Sequence, residues 1–256
     1  MKYSDYLRVL PADLKSAPAF YFISLRTFID YFILHKEFKR EEEVRDLIKV
    51  RVNGIVFNVR KGNFIHDIQH YLLRQEINVR KWFNFRKGGT FVDVGAYIGA
   101  YTLRAAKHGS IVFPFEPNPY SFKILSLNVL DNKFDNVKLY NVALGNKECE
   151  VFISTNFDET HVSSNGYKIK MITLDSLSLN KVDLLKIDVE GYEKEVLLGS
   201  ESTLDRTDKV IIEVHEHNKR FVDTIMYTHG LVKEKEELTY AEGSIYYVLY
   251  VRKRWP

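Results

Sequence analysis

From residue 90 onward the chain alternates short apolar runs with stretches of helical periodicity, and this alternation restricts its fold more than any other feature. Predicted strands lie at 90–96, 111–117, 137–144, 181–191 and 209–216, and helical patterns lie between them at 98–109, 120–132, 194–204 and 217–229. The strand segments are largely apolar, which is typical of a parallel sheet with helices on both faces. Two last strands, 231–238 and 244–253, would add an antiparallel strand at one edge. The sequence therefore predicts an α/β fold.

The residues before this pattern are expected to form an extension at 1–85, followed by the main domain at 86–256. The most apolar segment is 18–38, but Arg26 and Asp30 interrupt it before it reaches membrane-spanning length. We interpret it as a helix buried against the domain or in a homodimer contact, with an interfacial membrane helix as the alternative.

Two shorter patterns complete the extension. The segment 39–49 has apolar residues at helical spacing on a charged background, which predicts a surface helix. The alternating runs at 50–60 flank Asn53-Gly54, a dipeptide that supplies the positive φ angles of a tight hairpin turn. The extension is therefore predicted to combine helices with one β-hairpin.

Composition and charge exclude several classes of protein. Apolar residues make up 45% and charged residues 28% of the 256 positions, as in globular rather than disordered chains. One cysteine excludes an internal disulfide framework and any multi-cysteine metal site. A formal net charge of +3 makes nucleic acid an unfavoured partner. The first residues lack the pattern of a secretory signal, so we expect a cytoplasmic protein, with membrane-surface contact as the alternative.

The first core strand runs into the loop Asp93-Val94-Gly95-Ala96-Tyr97-Ile98-Gly99. In a doubly wound sheet, ligands bind at the carboxyl ends of the strands. Gly95 would allow a sharp turn close to a ligand, and Gly99 would let the following helix pack near the strand. The spacing G-x-x-x-G is neither the pyrophosphate-binding G-x-G-x-x-G nor a P-loop, so it favours a nucleoside over a dinucleotide or triphosphate.

Glu116 ends the next strand, 17 positions after Gly99. A carboxylate at this strand tip can accept both hydroxyl protons of a ribose, as the acidic residue of dinucleotide folds does. A glycine loop alone is most often a structural turn. The order of strand, glycine loop, helix, strand and terminal Glu is more specific, and it favours a nucleoside site.

Five segments together resemble the FkbM family of S-adenosylmethionine-dependent methyltransferases: FVDVGAYIGAYTL, FEPNP, NVALGN, ITLDSL and KIDVEGYEKEVLLG. The resemblance covers roughly 88–216, and the combination of D-V-G-A-x-x-G with I-D-V-E-G-x-E is specific to the family. The family usually has Asn at the position of Tyr97, so a contact made by that amide is not expected here.

The resemblance implies a class I methyltransferase Rossmann-like sheet of seven strands, the last antiparallel and formed by SIYYVLYVRK. It implies S-adenosyl-L-methionine as the cofactor and a hydroxyl of a sugar, glycan, lipid or small molecule as the acceptor. The implied cofactor-binding residues are Asp93, Gly95, Ala96, Tyr97, Gly99, Glu116, Pro117, Asn141, Val142, Ala143 and Asp188. Of these, Glu116 would hold the ribose, and 141–143 would lie beside the adenine.

An alcohol is a poor nucleophile until its proton leaves, so methylation of a hydroxyl needs a general base or a metal ion. The candidate catalytic residues are Asp188, Glu190 and His215, which follow the fourth and fifth strands. With Glu213 they could instead hold a divalent cation. We favour a base without a metal. Glu193 is expected to begin a helix, where an acidic residue interacts well with the helix dipole.

Two other functions are compatible with the same fold. An RNA methyltransferase would usually carry an Asn/Asp-Pro-Pro-aromatic loop after strand four, where this chain has Asp-Val-Glu-Gly. A non-catalytic protein would have little need of Asp93, Glu116 and Asp188. The acceptor is expected to contact 1–85 and a loop at 154–169, which contains the polar segment 158–164.

Overall fold

The computed structural model describes residues 9–29, 46–72, 78–156, 159–240 and 245–253. Its strands are Val9–Pro11 (β1), Leu47–Val52 (β2), Ile55–Arg60 (β3), Thr90–Val94 (β4), Ile111–Phe115 (β5), Ala143–Leu144 (β6), Cys149–Asn156 (β7), Glu159–Ser163 (β8), Tyr167–Ile172 (β9), Leu184–Ile187 (β10), Lys209–His215 (β11), Leu231–Tyr240 (β12) and Ile245–Arg252 (β13). Its α-helices are Ser16–Phe28 (α1), Phe64–Leu72 (α2), Ala100–Lys107 (α3), Pro119–Asp131 (α4), Glu193–Leu198 (α5), Glu201–Leu204 (α6) and Glu216–Thr228 (α7).

The central sheet confirms the α/β prediction. Its strand order is β12-β13-β11-β10-β4-β5. Strands β5, β4, β10 and β11 run parallel, and β13 runs antiparallel to both of its neighbours. Apolar side chains of successive residues point to opposite faces, so Ile212 packs on the side of α7 while Ile211 packs with Tyr101 of α3.

The antiparallel strand lies inside the sheet, not at the edge where the sequence analysis put it. Residues 247–250 of β13 are all buried between β11 and β12. The edge position belongs to β12, in which four consecutive exposed residues, 233–236, are charged. An apolar strand gains most from the interior position, and a charged strand tolerates the solvated edge.

The segment 137–144 was predicted to be the third strand of a seven-stranded sheet. In the described part of the chain it does not join the central sheet as a regular strand. It meets β5 at two single bridges, Val112 to Val137 and Phe115 to Tyr140. Hydrogen bonds run from Lys138 N to Val112 O and from Tyr140 N to Pro114 O. Because Pro114 has no N–H to donate, the ladder is interrupted at that residue.

A second sheet, of order β6-β9-β7-β8, lies between β5 and β10 in the sequence. The prediction of a loop at 154–169 is therefore wrong over most of its length. Residues 149–153 pair antiparallel with 167–171 of β9, which places the two flanks of the segment in one ladder. The β-branched and aromatic residues of CEVFIS and the alternation of apolar and polar residues in YKIKM are the signals for these strands.

The extension forms a third sheet, β1-β2-β3, whose β2–β3 turn contains the predicted Asn53 at φ 51° and Gly54 at φ 74°. The surface helix predicted over 39–49 is wrong at 46–49, because Asp46 lies in a bend and 47–49 belong to β2, and residues 39–45 lie outside the described ranges. Of the helix predicted over 18–38, residues 18–28 belong to α1, and residues 30–38 lie outside the described ranges. In the described ranges, none of the helices has the length and apolar character needed to cross a membrane.

Candidate functional site

The glycine loop after β4 lies against the loop after β10. The N–H groups of Gly95 and Ala96 both donate to the carbonyl of Phe115, at 3.0 Å each. Gly95 has a φ of +75°, and a Cβ at this position would lie 1.8 Å from the backbone oxygen of Asp188. Gly99, with a φ of 94°, precedes the first residue of α3. The carboxyl ends of β4 and β10 therefore meet at a point where a side chain at residue 95 would not fit.

Glu116 is buried at the tip of β5 and faces the same loop. Its carboxylate accepts hydrogen bonds from the backbone N–H of Tyr97 at 2.7 Å and of Asn118 at 2.8 Å. Burial raises the pKa of Glu116 to about 7. Because this pKa lies close to neutral pH, the buried carboxyl group of Glu116 can change its protonation state when a ligand binds beside it.

The residues predicted to surround a nucleoside lie side by side at this edge. The amide of Asn141 donates to the carbonyls of Glu116 and Pro117, at 2.8 and 3.2 Å. Val142 packs against the main core, and Ala143 begins β6. The structure thus brings together the strand tips that the sequence analysis assigned to ribose and adenine.

A buried lysine that the sequence analysis missed links the two acidic strand ends. Lys186 Nζ lies 3.1 Å from Asp188 Oδ2 and 3.5 Å from Asp93 Oδ1, and donates to the Gly95 carbonyl at 3.1 Å. Thr102 donates to Asp93 Oδ2 at 2.6 Å, whereas the buried Oδ1 has no hydrogen-bond partner in the described residues. Burial raises the pKa of Asp93. The signal for Lys186 was a single charge in the apolar strand LLKI, directly before Asp188.

The loop after β10 positions a histidine and a buried glutamate. Glu190 has a left-handed φ of 48°, and Gly191 follows with 92°. Glu193 is 0% exposed, and its carboxylate accepts from His215 Nδ1 at 2.7 Å, from the Gly191 N–H at 3.0 Å and from the amide of Asn218. Glu193 therefore does more than begin α5, the role that the sequence analysis gave it.

The two partners shift each other's pKa in opposite directions. The hydrogen bond to Glu193 raises the pKa of His215, and the charges of Glu190 and Asp188 add to the effect. Burial alone would raise the pKa of Glu193, but the bonds from His215 and Asn218 hold it below its ordinary value. An ionised carboxylate can only accept, so Nδ1 carries the hydrogen of this bond, and Nε2 is the ring nitrogen left to gain or lose a proton.

A metal ion could be held by a partly different set of residues. Asp188, Glu190 and Glu213 offer carboxylate oxygens that all lie within 4.8 Å of one another. Oxygen ligands of this kind suit Mg²⁺ or Ca²⁺. The set considered from the sequence also contained His215, whose Nδ1 is bonded to Glu193 in the structure.

Comparison with known proteins identifies relatives of this chain. A family model described as the methyltransferase FkbM domain matches residues 93–240, more than half of the chain. The chain is 31% identical over 136 residues to hexuronic acid methyltransferase AglP of Haloferax volcanii, in a match covering 48% of this chain and 54% of that protein. It is 23% identical over 221 residues to Methyltransferase 1 of Beauveria bassiana, covering 71% and 89%. The chain thus spans about half the length of the archaeal relative and most of the fungal one.

A solved structure shows the same fold over nearly the whole chain. It is that of a Pyrococcus horikoshii protein described as a transferase, with a TM-score of 0.52 and 16% identity. The superposition covers 90% of this chain and 86% of that one. At this level of identity the match defines the architecture and nothing further.

Proposed function

Because the chain belongs to the FkbM methyltransferase family, we propose that it transfers a methyl group from S-adenosyl-L-methionine to a hydroxyl of a sugar or glycan. The observation that carries this proposal is the buried Glu193 behind His215, beside the acidic loop. The name of the archaeal relative, a hexuronic acid methyltransferase, supports a sugar-type acceptor over a lipid or other small molecule.

The residues at the strand tips suit this cofactor. Glu116 offers a buried carboxylate to a ribose diol, and the buried Asp93 Oδ1 is held by the ion pair with Lys186 Nζ at 3.5 Å. Asp93 and Asp188 supply negative charge close to Lys186 and the glycine loop. When bound, S-adenosyl-L-methionine supplies an electrophilic methyl group on a cationic sulfonium.

His215 is the proposed general base. Its Nε2 takes the proton of the acceptor hydroxyl, while Nδ1–H stays bonded to the ionised Glu193, which stabilises the imidazolium that forms. Asp188 and Glu190 lie close enough to raise the pKa of His215, and we assign them to hydrogen bonding with the acceptor. Alignment of the reacting groups supplies the remaining acceleration.

The charges around the base favour a hydroxyl over a carboxylate as the acceptor group. A carboxylate is already ionised at neutral pH and needs no base. It would also have to approach Asp188, Glu190 and Glu213, whose oxygens are clustered within 4.8 Å. Like charges at such distances repel, so a neutral sugar hydroxyl is the better match.

Transfer of labelled methyl from S-adenosyl-L-methionine to neutral sugars and uronic acids tests the proposal. We expect label in the sugar fraction as an alkali-stable ether, not an alkali-labile ester. His215→Gln should lower the rate by about 10²-fold with unchanged cofactor affinity, because one general base typically contributes this much. His217→Gln is the matched control, since His217 is an exposed histidine two positions later.

Several outcomes would contradict this assignment. Label recovered as an ester would mean a carboxyl acceptor, and label in RNA would mean the nucleic-acid alternative. Absence of cofactor binding in calorimetry would favour a non-catalytic protein. We also expect transfer to persist in EDTA. Its loss, with recovery on adding Mg²⁺, would favour metal assistance through Asp188, Glu190 and Glu213.

A further inference from the structure

The N-terminal hairpin reaches the glycine loop through a buried arginine. Arg60, the last residue of β3, is 1% exposed, and its guanidinium binds both oxygens of the buried Asp67, at 3.1 and 2.6 Å. The same Nη2 also donates to the hydroxyl of Tyr97 at 2.5 Å. The carboxylate of Asp67 already neutralises the buried charge of Arg60. The hydrogen bond to Tyr97 is therefore not needed to offset the cost of burying that charge.

Tyr97 connects this arginine to the candidate ribose carboxylate. Its φ of 49° lies in the left-handed region, which costs a residue with a side chain about 1 kcal/mol or more. In this conformation its backbone N–H donates to Glu116 Oε2 at 2.7 Å. The side-chain hydroxyl of Tyr97 is therefore bound by Arg60 of the hairpin, while its backbone N–H binds Glu116.

A second connection runs from the same strand to the next residue of the loop. Asn128 of α4 is fully buried, and its Oδ1 accepts from the backbone N–H and the side-chain amide of Asn58, at 2.7 and 3.0 Å. Its Nδ2 donates to the carbonyl of Ile98 at 2.8 Å. Strand β3 thus contacts Tyr97 and Ile98 by separate routes, one direct and one through α4.

We propose that Arg60 is a positioning residue for the cofactor: it holds the Tyr97 hydroxyl, and thereby keeps the loop 95–99 in the conformation that presents the Tyr97 N–H to Glu116. The N-terminal extension then determines cofactor affinity in addition to packing on the domain. The inference rests on the proposed function only in taking Glu116 as the ribose ligand. Order in the loop itself can be measured without any cofactor.

Tyr97→Phe removes the hydroxyl but keeps the aromatic ring and the ion pair between Arg60 and Asp67. In the cofactor-free protein, we expect amide hydrogens of 95–99 to exchange on the order of tenfold faster, as for one lost hydrogen bond to a charged group. Affinity for S-adenosyl-L-methionine in calorimetry should fall by a similar factor. The pH above which the cofactor binds well should move upward, because a displaced Tyr97 N–H no longer favours the ionised Glu116.

Two further variants separate positioning from general stability. Arg60→Lys keeps the charge beside Asp67 but lacks the fork that also reaches Tyr97, so it should reproduce the loop exchange of Tyr97→Phe. Tyr250→Phe is the matched control, because it removes a buried hydroxyl bonded to Asp223 at 2.6 Å on β13, away from the loop. It should lower the unfolding midpoint without changing exchange at 95–99 or cofactor affinity.

Each result has a definite consequence. Unchanged exchange at 95–99 in Tyr97→Phe would overturn the inference. Faster exchange with unchanged cofactor affinity would overturn its functional part, since the loop would then be ordered for packing alone. A wild-type protein that binds no S-adenosyl-L-methionine would overturn the proposed function and the functional part, while the exchange comparison would still decide whether Arg60 orders the loop.

Discussion

His215 and Glu193 determine the pH range in which the proposed base can work. A base must be neutral to accept a proton, and the hydrogen bond to Glu193 raises the pKa of His215 above 6.5. Activity should therefore rise with pH as His215 loses its proton, at a pH higher than for an unperturbed histidine. Glu193 stays ionised throughout this range because its own pKa is lowered.

Glu193→Gln should move this rising limb to lower pH and lower the maximum rate. The charge that raises the pKa of His215 is removed, and a neutral amide stabilises the imidazolium less well. We expect a loss of about 10²-fold in kcat, measured across the pH profile of methyl transfer.

A second histidine–carboxylate pair provides the control for that experiment. His229 Nδ1 lies 2.7 Å from Asp205 Oδ1 on the surface, at the ends of α7 and α6. Asp205→Asn should leave the pH profile unchanged. The rising limb of the pH profile could stay in place in Glu193→Gln, or move equally in Asp205→Asn. Either result would mean that His215 is not the group whose titration controls activity.

At the level of single residues, the sequence predicted the chemical types better than the pairings. Asp188, Glu190 and His215 stood out because carboxylates and imidazole follow two predicted strands. Glu193 was not recognised as the histidine's partner, since three acidic residues within a few positions look alike in sequence. The structure selects Glu193 because α5 begins there and buries its side chain beside Asn218.

At the level of the elements, the loops after β4 and β10 pack closely against each other. Gly95→Ala should cost at least about 3 kcal/mol in the free energy of unfolding, because its Cβ would meet the Asp188 carbonyl at 1.8 Å. Gly88→Ala should cost only about 1 kcal/mol, since its φ is similar, +71°, but no atom lies within 4 Å. Urea denaturation of both variants measures the difference, and equal costs would show that the loops separate easily.

The parallel strands of the main sheet were predictable because each is a buried, largely apolar run, whereas the two edges of the sheet were not. Pro114 was visible in the sequence, but its effect on the 137–144 ladder depends on which side of β5 that segment approaches. The interior position of β13 depends on which of two terminal strands buries more apolar surface against β11. Both outcomes depend on contacts between distant parts of the chain.

For the molecule as a whole, the extension and the main domain share a hydrophobic cluster. Phe57, Val59 and Ile68 of the extension pack in one group with apolar residues of α3 and α4 and the glycine loop. The division into 1–85 and 86–256 stays a prediction, and this shared cluster argues for one folding unit. The proposed contact of 18–38 with a membrane or a second copy also stays a prediction.

A fragment of residues 86–256 should lack a cooperative unfolding transition, while the full chain should show a single one. Without the extension, the buried residues of this cluster that would lose apolar neighbours include Ile98, Leu103, Ile124, Leu125 and Val129. Differential scanning calorimetry and near-ultraviolet circular dichroism of both proteins provide the measurement. A fragment that melts cooperatively would establish 86–256 as an independently folding domain.

The charged edge of the sheet has a consequence for how molecules of this protein meet one another. A strand from another molecule that pairs with β12 would have to strip water from Lys233, Glu234, Lys235 and Glu236. Lys233 is already bonded to Asp223 and Glu236, so an incoming chain would not gain by neutralising its charge. Strand-by-strand growth into fibrils is therefore opposed at this edge by dehydration.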